Sequence, residues 1–191
     1  MPNLYIIAGC NGAGKTTASF TILPDILNCR QFVNADNIAY GLSPFDVESV
    51  AIEAGKIMLQ RIEELLSHGE DFAIETTLTT RSYINLIHRA KSTGYKISLI
   101  YIWLNSPVLA LQRVAQRVKT GGHNIPSDVI ERRYIKGIKN LFQLFMPICD
   151  FWAIADNSDN ILLEVAKKEE FENVIKIPQL WRRIIEQAYG S

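Results

Sequence analysis

A glycine-rich segment near the amino terminus carries the clearest chemical pattern in this sequence. Residues 9–16 read Gly-Cys-Asn-Gly-Ala-Gly-Lys-Thr, which matches the G-x-x-x-x-G-K-[ST] pattern of a phosphate-binding loop. Glycines let such a loop turn so that successive backbone N–H groups face phosphate oxygens. Within this pattern, Lys15 is expected to reach the β- and γ-phosphates, and the Thr16 hydroxyl is expected to bind Mg²⁺. The expected phosphate contacts are Gly9, Asn11, Gly12, Ala13, Gly14, Lys15, Thr16 and Thr17.

The residues on either side of this segment favour a binding loop over a plain turn. Residues 4–8 are apolar and β-type, and residues 17–23 predict the start of a helix. A helix that begins at the loop adds the positive end of its dipole to an anion site. A glycine-rich turn without a ligand is the alternative, and the order of strand, loop and helix argues against it.

Two acidic residues follow other β-type runs and are candidates for the chemical step. Asp36 comes after residues 31–34, where a carboxylate can accept the proton of a substrate hydroxyl during phosphoryl transfer. A turn or capping aspartate is the alternative at this position. Glu75 ends the run at residues 72–75, and we expect it to bind Mg²⁺ through water or to hold substrate. The alternative for Glu75 is a surface acid at a strand end.

A basic segment lies in the second half of the chain. Seven lysines and arginines stand against two acids between residues 113 and 139, which gives this segment a net charge of +5. One interpretation is two solvated helix faces. The other is a lid over about residues 113–140, hinged at Gly121 and Gly122, whose arginines neutralise charge on a transferring phosphate. The candidate arginines are Arg113, Arg117, Arg132 and Arg133.

The elements that must position these residues alternate between strand and helix. This alternation predicts a single α/β domain over residues 1–191, with a parallel sheet, helices on both faces, and a C-terminal hairpin and helix at about 160–190. The five predicted parallel strands are residues 4–8, 31–34, 72–75, 96–104 and 151–155. The predicted helices include residues 43–66, which begin at Ser43 as cap and Pro44 as first residue, and residues 106–121, 127–147 and 181–188.

Ligands of such a sheet bind outside the carboxyl ends of its strands. The polar residues at those ends are therefore expected to converge with the glycine-rich loop. Besides Asp36 and Glu75, they include Thr77 after the third strand and Asn157 after the fifth. His123, beside the glycine pair, is a candidate substrate contact, with a plain loop histidine as the alternative.

Composition restricts the compartment and the partners. Twenty cationic and twenty acidic residues give a net charge of zero, so we do not expect a nucleic-acid partner. Three cysteines without metal-ligand spacing are typical of a reducing cytoplasm, where we place the protein. We expect no signal peptide and no membrane span, because no apolar run is long enough to cross a bilayer.

Several segments together resemble the zeta toxin family of P-loop kinases, in particular its short branch that is often labelled "predicted ABC-type ATPase". The similarity extends over about residues 3–160. One departure is that Thr79 and Thr80 stand where many sugar-nucleotide kinases of this family have an arginine. The segments that carry the resemblance are residues 8–17, 34–36, 75–78, 113–118, 121–123, 132–134 and 156–158.

The resemblance implies a P-loop kinase fold and transfer of the γ-phosphoryl group of ATP or GTP, with Mg²⁺, to a hydroxyl of a small substrate. In the better-known members the acceptor is a UDP-linked amino sugar, such as UDP-N-acetylglucosamine, and a small antitoxin protein blocks the nucleotide site. Carried over to this chain, the resemblance implies that Asp36 is the base and that Glu75 and Thr77 lie near the substrate. It also implies that Arg117 and Arg132 are the two lid arginines, with Arg113 and Arg133 as alternatives.

We therefore predict a small-molecule kinase that acts as the toxin of a toxin–antitoxin pair. Two other functions fit part of the sequence. A nucleic-acid 5′-hydroxyl kinase would use the basic segment for a phosphate backbone, and the zero net charge argues against it. A non-catalytic nucleotide switch would bind ATP without transfer, and the coincidence of Asp36, Glu75 and an arginine-rich segment argues against it.

Overall fold

The computed structural model describes residues 1–122, 124–169 and 172–190 of the 191-residue chain. The strands are β1 (Asn3–Gly9), β2 (Gln31–Val33), β3 (Phe72–Thr76), β4 (Lys96–Trp103), β5 (Phe151–Asp156), β6 (Leu163–Glu169) and β7 (Glu172–Ile175). The helices are α1 (Lys15–Thr21), α2 (Ala35–Leu42), α3 (Ala51–His68), α4 (Ser82–Ser92), α5 (Pro107–Lys119), α6 (Ser127–Asn140) and α7 (Pro178–Tyr189). A π-helical turn follows α1 (Ile22–Ile26), and another follows α6 (Leu141–Phe145).

All the strands belong to one sheet, in the order β2-β3-β1-β4-β5-β6-β7. Strands β1 to β5 pair in parallel, whereas β6 and β7 are antiparallel to their neighbours. Because parallel strands point the same way, the loops that follow β1, β2, β3 and β5 emerge at one edge of the sheet. This edge is where the polar residues singled out above were expected to converge.

The α/β fold class is confirmed, and the five predicted parallel strands are β1 to β5, but the sheet has seven strands and not five. The hairpin predicted at residues 161–165 and 174–177 is β6 and β7, and it extends the sheet beyond β5 instead of standing apart from it. Val165 and Ala166 of β6 are buried, so the hairpin contributes apolar side chains to the common core. Burial of these side chains explains why the hairpin joins the sheet.

The prediction of a helix from Ser43 is also wrong. A short helix, α2, ends at Leu42, and the Ser43 N–H donates to the Ala39 backbone oxygen as part of its last turn. Pro44 therefore marks the end of one helix and not the first residue of another, since the residue before a proline avoids helical conformation. The long helix α3 starts at Ala51.

The core lies on both sides of the central strands. The side chains of Leu4, Ile6 and Ile7 in β1 are fully buried, as are most of those in β4. Helix α5 begins as predicted, because the Ser106 hydroxyl accepts a hydrogen bond from the Leu109 N–H at 3.2 Å and Pro107 occupies the first helical position.

In the described parts of the chain, no helix combines the length and the apolar character that crossing a lipid bilayer requires.

Candidate functional site

Three glycines of the loop between β1 and α1 have backbone conformations that side chains rarely adopt. The φ angles of Gly9, Gly12 and Gly14 are +147°, +78° and +85°. A Cβ atom on Gly9 would lie 2.3 Å from the Ile102 backbone oxygen, and one on Gly12 would lie 2.8 Å from that of Ala110. Glycine is therefore needed both for the turn of the loop and for its close approach to β4 and α5.

Lys15 is held inside the loop although it is charged. Its residue is only 7% exposed, and its Nζ donates to the Cys10 backbone oxygen at 2.9 Å and lies 3.6 Å from Glu75 Oε1. A buried ammonium needs such partners, because an unpaired charge in the interior is costly. Burial also raises the pKa of the Cys10 thiol to about 11, although the charges of Lys15 and Arg113 reduce the effect. The thiol is therefore neutral near pH 7.

The carboxylate of Glu75 connects three elements at the edge of the sheet. Its Oε2 accepts hydrogen bonds from the Thr16 hydroxyl and from Asn34 Nδ2, each at 2.7 Å. Its other oxygen is the one that faces Lys15. Hydroxyl and carboxylate oxygens are the ligands that Mg²⁺ prefers, so the pair formed by Thr16 and Glu75 fits a magnesium ion, directly or through water.

Asp36 lies in the first turn of α2, at the same edge of the sheet as Glu75. Its backbone N–H donates to Asn34 Oδ1 at 2.8 Å, and the Asn37 N–H donates to the same oxygen at 3.2 Å. Asn34 is thus the N-cap of α2. The Asp36 residue is exposed and lines two of the cavities described below.

Asn157, after β5, ties the opposite side of the loop to α5. Its Nδ2 donates to the Ala13 backbone oxygen at 2.9 Å. The guanidinium of Arg113 donates to the backbone oxygens of Asn157 and Ser158, at 2.7 and 3.0 Å. This chain of hydrogen bonds fixes Arg113 beside the loop.

Three cavities open around the glycine-rich loop and share walls. We call the smallest, of about 200 Å³, the central cavity, and the loop lines it together with Asp36, Glu75, Arg113 and Arg117. The apolar cavity, of about 520 Å³, meets it at Arg113, and its other walls include Ala18, Ile22, Ile26, Asn157 and Leu162. The hydroxyl-lined cavity, of about 380 Å³, meets it at Lys15, Asp36 and Glu75, and its outer walls include Thr77, Thr79, Thr80, Ser82 and Tyr83.

The four candidate arginines have different positions. Arg113 and Arg117 of α5 line the central cavity. On α6, Arg133 lines the hydroxyl-lined cavity, and its Nη1 lies 3.3 Å from Asn11 Oδ1 of the loop. Arg132 is exposed and lines none of the three cavities, because it lies on the outer face of α6 beside Lys136 and Lys139. The structure thus brings Arg133, and not Arg132, to the site.

Two further predicted features concern the end of α5. Gly121 and Gly122 terminate the helix, since their N–H groups donate to the backbone oxygens of Val118 and Arg117 at 3.0 and 2.9 Å. The predicted substrate contact His123 lies outside the described residues.

Sequence reasoning missed several residues that build the site. Asn140 of α6 donates through Nδ2 to the Leu78 backbone oxygen at 2.6 Å, and Leu78 has a φ of +56°. Gly137 packs so closely that a Cβ would lie 2.6 Å from the Thr77 backbone oxygen. Helix α6 therefore packs against the loop after β3, whose residues Thr77, Thr79 and Thr80 line the hydroxyl-lined cavity. Asn34 was also missed, although an Asn two residues before an Asp is a recognisable capping signal.

Comparison with protein families gives a match that covers most of the chain. The family model described as Zeta toxin matches residues 1–164. The chain belongs to the zeta toxin family. The resemblance seen in the sequence is thus confirmed, and it places this chain among P-loop phosphotransferases.

Two curated relatives cover different shares of the chain. A protein of Haemophilus influenzae is 32% identical over 127 residues, which are 66% of this chain and 88% of that protein. A nucleotide-binding protein of Fusobacterium nucleatum is 25% identical over 166 residues, which are 87% of this chain and 49% of that protein. The chain thus spans about half the length of the second relative.

Solved structures share the fold at low sequence identity. A chain of the AvrRxo1-ORF1:AvrRxo1-ORF2 complex, solved with ATP, matches with a TM-score of 0.77 and 19% identity, over 96% of this chain and 63% of that one. A structure from the PezAT toxin–antitoxin system of Streptococcus pneumoniae matches with a TM-score of 0.70 and 19% identity, over 100% of this chain and 80% of that one. These likenesses establish the P-loop kinase fold.

Proposed function

We propose that this zeta toxin chain transfers the γ-phosphoryl group of ATP to a hydroxyl of a small molecule. The observation that supports this most is the composition of the central cavity. Residues of the phosphate loop, including Lys15, line a volume of about 200 Å³ together with two carboxylates and two arginines. Anion-binding groups beside acids and metal ligands are the set that phosphoryl transfer requires.

The cavities on either side suggest how the two substrates are arranged. The triphosphate would lie in the central cavity, and the base and ribose of the nucleotide would lie in the apolar cavity beyond Arg113. The acceptor would bind in the hydroxyl-lined cavity, near Thr77, where its hydroxyl can face both Asp36 and the γ-phosphate. GTP is the alternative nucleotide, and a comparison of the two affinities decides between them.

In the proposed reaction, the Asp36 carboxylate accepts the proton of the acceptor hydroxyl. The oxygen forms a bond to the γ-phosphorus, the bond between that phosphorus and the bridging oxygen of ADP breaks, and ADP leaves with the electron pair. Lys15 and the cavity arginines stabilise the charge on the phosphate oxygens during transfer. Positioning of both substrates supplies most of the rate, and a general base supplies about 10²–10⁴-fold.

Thr16 and Glu75 would hold Mg²⁺, the hydroxyl directly and the carboxylate through water. Bound Mg²⁺ would neutralise part of the charge on the phosphate oxygens. The hydrogen bond between the two side chains supports this assignment, because it holds both oxygens at one point of the cavity wall.

We further propose that residues 1–191 form one domain in which residues 113–140 act as a lid. Arg113, Arg117 and Arg133, which already line the cavities, would contact the phosphates. The exposed position of Arg132 favours Arg133 for the second lid contact. The three buried free cysteines, Cys10, Cys29 and Cys149, support a reducing compartment such as the cytoplasm.

UDP-N-acetylglucosamine is the first acceptor to test, because the family resemblance implies a UDP-linked amino sugar. A small antitoxin is the protein partner that we propose, and the likeness to a structure from the PezAT toxin–antitoxin system supports it.

The proposal is tested with purified protein, γ-labelled ATP, Mg²⁺ and a pooled metabolite extract. We expect at least one metabolite to gain the mass of one phosphate and the label, as measured by mass spectrometry. The K15A variant serves as the control and should give no labelled product, because it lacks the cation that contacts the β- and γ-phosphates. Tight ATP binding without any labelled product would overturn the proposed kinase activity.

A further inference from the structure

Asn34 is a buried polar residue at the site to which neither the motif nor the proposed reaction assigns a role. It is 3% exposed and follows the last residue of β2. Buried amides are retained where both of their ends find partners, because an unpaired polar group in the interior costs free energy. The side chain of Asn34 uses its oxygen and its nitrogen for different purposes, and both contacts lie at the candidate site.

The sheet register explains why Asn34 reaches Glu75. Strands β2 and β3 pair in parallel with Val33 opposite Ile74, so the next residues, Asn34 and Glu75, follow side by side at the carboxyl end of the sheet. From this position Asn34 Nδ2 donates to Glu75 Oε2 at 2.7 Å. The same carboxylate oxygen accepts from the Thr16 hydroxyl.

The other end of the amide fixes the start of α2. Asn34 Oδ1 accepts from the backbone N–H groups of Asp36 and Asn37. Because both partners on this side are donors, the amide oxygen must face α2, and the amide nitrogen must face Glu75. The hydrogen-bond partners therefore fix the orientation of the amide.

We propose that Asn34 is a positioning residue that holds the base Asp36 in register with the carboxylate of Glu75. One planar amide joins the turn that carries Asp36 to the carboxylate of Glu75. Because the amide is rigid, it sets the distance between Asp36, beside the acceptor substrate, and Glu75, beside the nucleotide phosphates. Loss of groups that orient a catalytic or metal-binding side chain costs about 10–100-fold in activity. This proposal rests on the proposed kinase function.

Three variants separate positioning from helix capping. Serine and aspartate are both good N-caps, so N34S and N34D keep a capping oxygen for α2. Neither one has the amide nitrogen that donates to Glu75, and N34D places a second carboxylate beside it. N34A loses both contacts. The N85S variant changes an exposed asparagine of α4 and serves as the matched control.

The experiment measures kcat and the KM for ATP of each variant, using the acceptor substrate identified in the extract assay. Circular dichroism gives the melting temperature of each variant. We expect N34S to melt close to the wild-type protein and to keep KM for ATP within about twofold, while kcat falls about 10–100-fold. N34D should lose at least as much kcat, and N85S should lose none. If Asn34 acts only as a cap, N34S will instead have wild-type kcat, and the proposal is wrong.

A double-mutant cycle with E75Q tests the route of the effect, and it remains informative if one Asn34 variant is less stable. If Asn34 acts through Glu75, kcat of the double variant N34S/E75Q should match that of E75Q alone, because the two losses are not additive. Additive losses would overturn the proposal while the kinase function stands. Absence of phosphoryl transfer in the wild-type protein would overturn the kinase function itself, and with it the role of Asn34.

Discussion

At the scale of single residues, Asp36 is the side chain on which the proposed chemistry depends most. It is exposed at the wall shared by the central and hydroxyl-lined cavities, where it can meet an acceptor hydroxyl. The D36N variant should bind ATP with a Kd within about threefold of the wild-type value, and its kcat should fall about 10²–10⁴-fold, because only the proton acceptor is lost. Calorimetry and the labelled-ATP assay measure the two quantities.

The matched control for this substitution is D128N, which changes an exposed aspartate of α6 that lines none of the three cavities. It should leave both quantities unchanged. Turnover of D36N near the wild-type rate would remove Asp36 from the mechanism.

Two neighbouring arginines of α6 provide a second comparison at this scale. Arg133 lines the hydroxyl-lined cavity and Arg132 does not. We expect R133A to lower kcat/KM for the acceptor about 10–100-fold, the value of a lost hydrogen bond to a charged group, and R132A to change it less than about twofold. Steady-state kinetics with varied acceptor measures both. A lower kcat/KM in R132A together with an unchanged kcat/KM in R133A would show that Arg132, and not Arg133, is the lid arginine.

Site residues could be predicted from the sequence where chemistry fixes their spacing strictly. Lys15, Thr16 and the loop glycines follow from one motif, since backbone and phosphate geometry permit few alternatives. The choice between Arg132 and Arg133 did not follow, because adjacent helical residues differ by about 100° of rotation and the sequence does not fix the orientation of the helix. Asn34 was missed because its partner Glu75 is adjacent only through strand pairing.

At the scale of elements, the end of α5 shows what the glycine pair does. Gly121 has a φ of +89° and its N–H closes the last turn of the helix, so it acts as a helix cap. G121A should therefore destabilise the protein by about 1 kcal/mol, since a left-handed conformation is costly for alanine. Urea unfolding measures this free energy.

The control for G121A is G41A, which places alanine in the exposed helix α2 with open space around the new Cβ. It should stabilise the protein by about 0.5–1 kcal/mol, because alanine loses less conformational entropy than glycine. Equal effects of the two substitutions would contradict the assignment of Gly121 as a cap.

Local sequence signals predicted the start of a helix correctly where neighbouring residues alone determine it. Ser106 and Pro107 start α5 as their types indicate. Ser43 and Pro44 carry the same local signal and end a helix instead, because Asn34 had already started α2 nine residues earlier. The number of strands in the sheet could not be read from the sequence, since joining of β6 to β5 depends on long-range burial of Val165 and Ala166.

At the scale of the whole molecule, buried acids of high pKa make the fold sensitive to alkaline pH. Burial raises the pKa of the Cys10 thiol to about 11 and that of Cys149 to about 12, and it also raises the pKa values of Tyr101 and Tyr134. In the unfolded chain these thiols release their protons at a lower pH, near 9, so the unfolded state binds fewer protons than the folded state above that pH. Stability is therefore full below about pH 9 and falls as the pH rises further.

We expect the free energy of unfolding to fall between about pH 8 and 10.5, with each buried thiol contributing about 2 kcal/mol to the loss. The double variant C10A/C149A should lose less over the same range, because these two buried thiols no longer titrate. Urea unfolding at the two pH values gives both differences. An identical loss in both proteins would show that the thiols do not contribute.

The three cavities share walls around one glycine-rich loop. We therefore propose that the triphosphate, the proton acceptor Asp36 and the acceptor substrate meet at this loop. A crystal structure with Mg²⁺ and a non-hydrolysable ATP analogue tests this most directly. We predict density for the γ-phosphate in the central cavity, in contact with Lys15 and beside Asp36, with the base in the apolar cavity and the hydroxyl-lined cavity left for the acceptor. A triphosphate bound outside the central cavity, or one that fills the hydroxyl-lined cavity, would contradict the account.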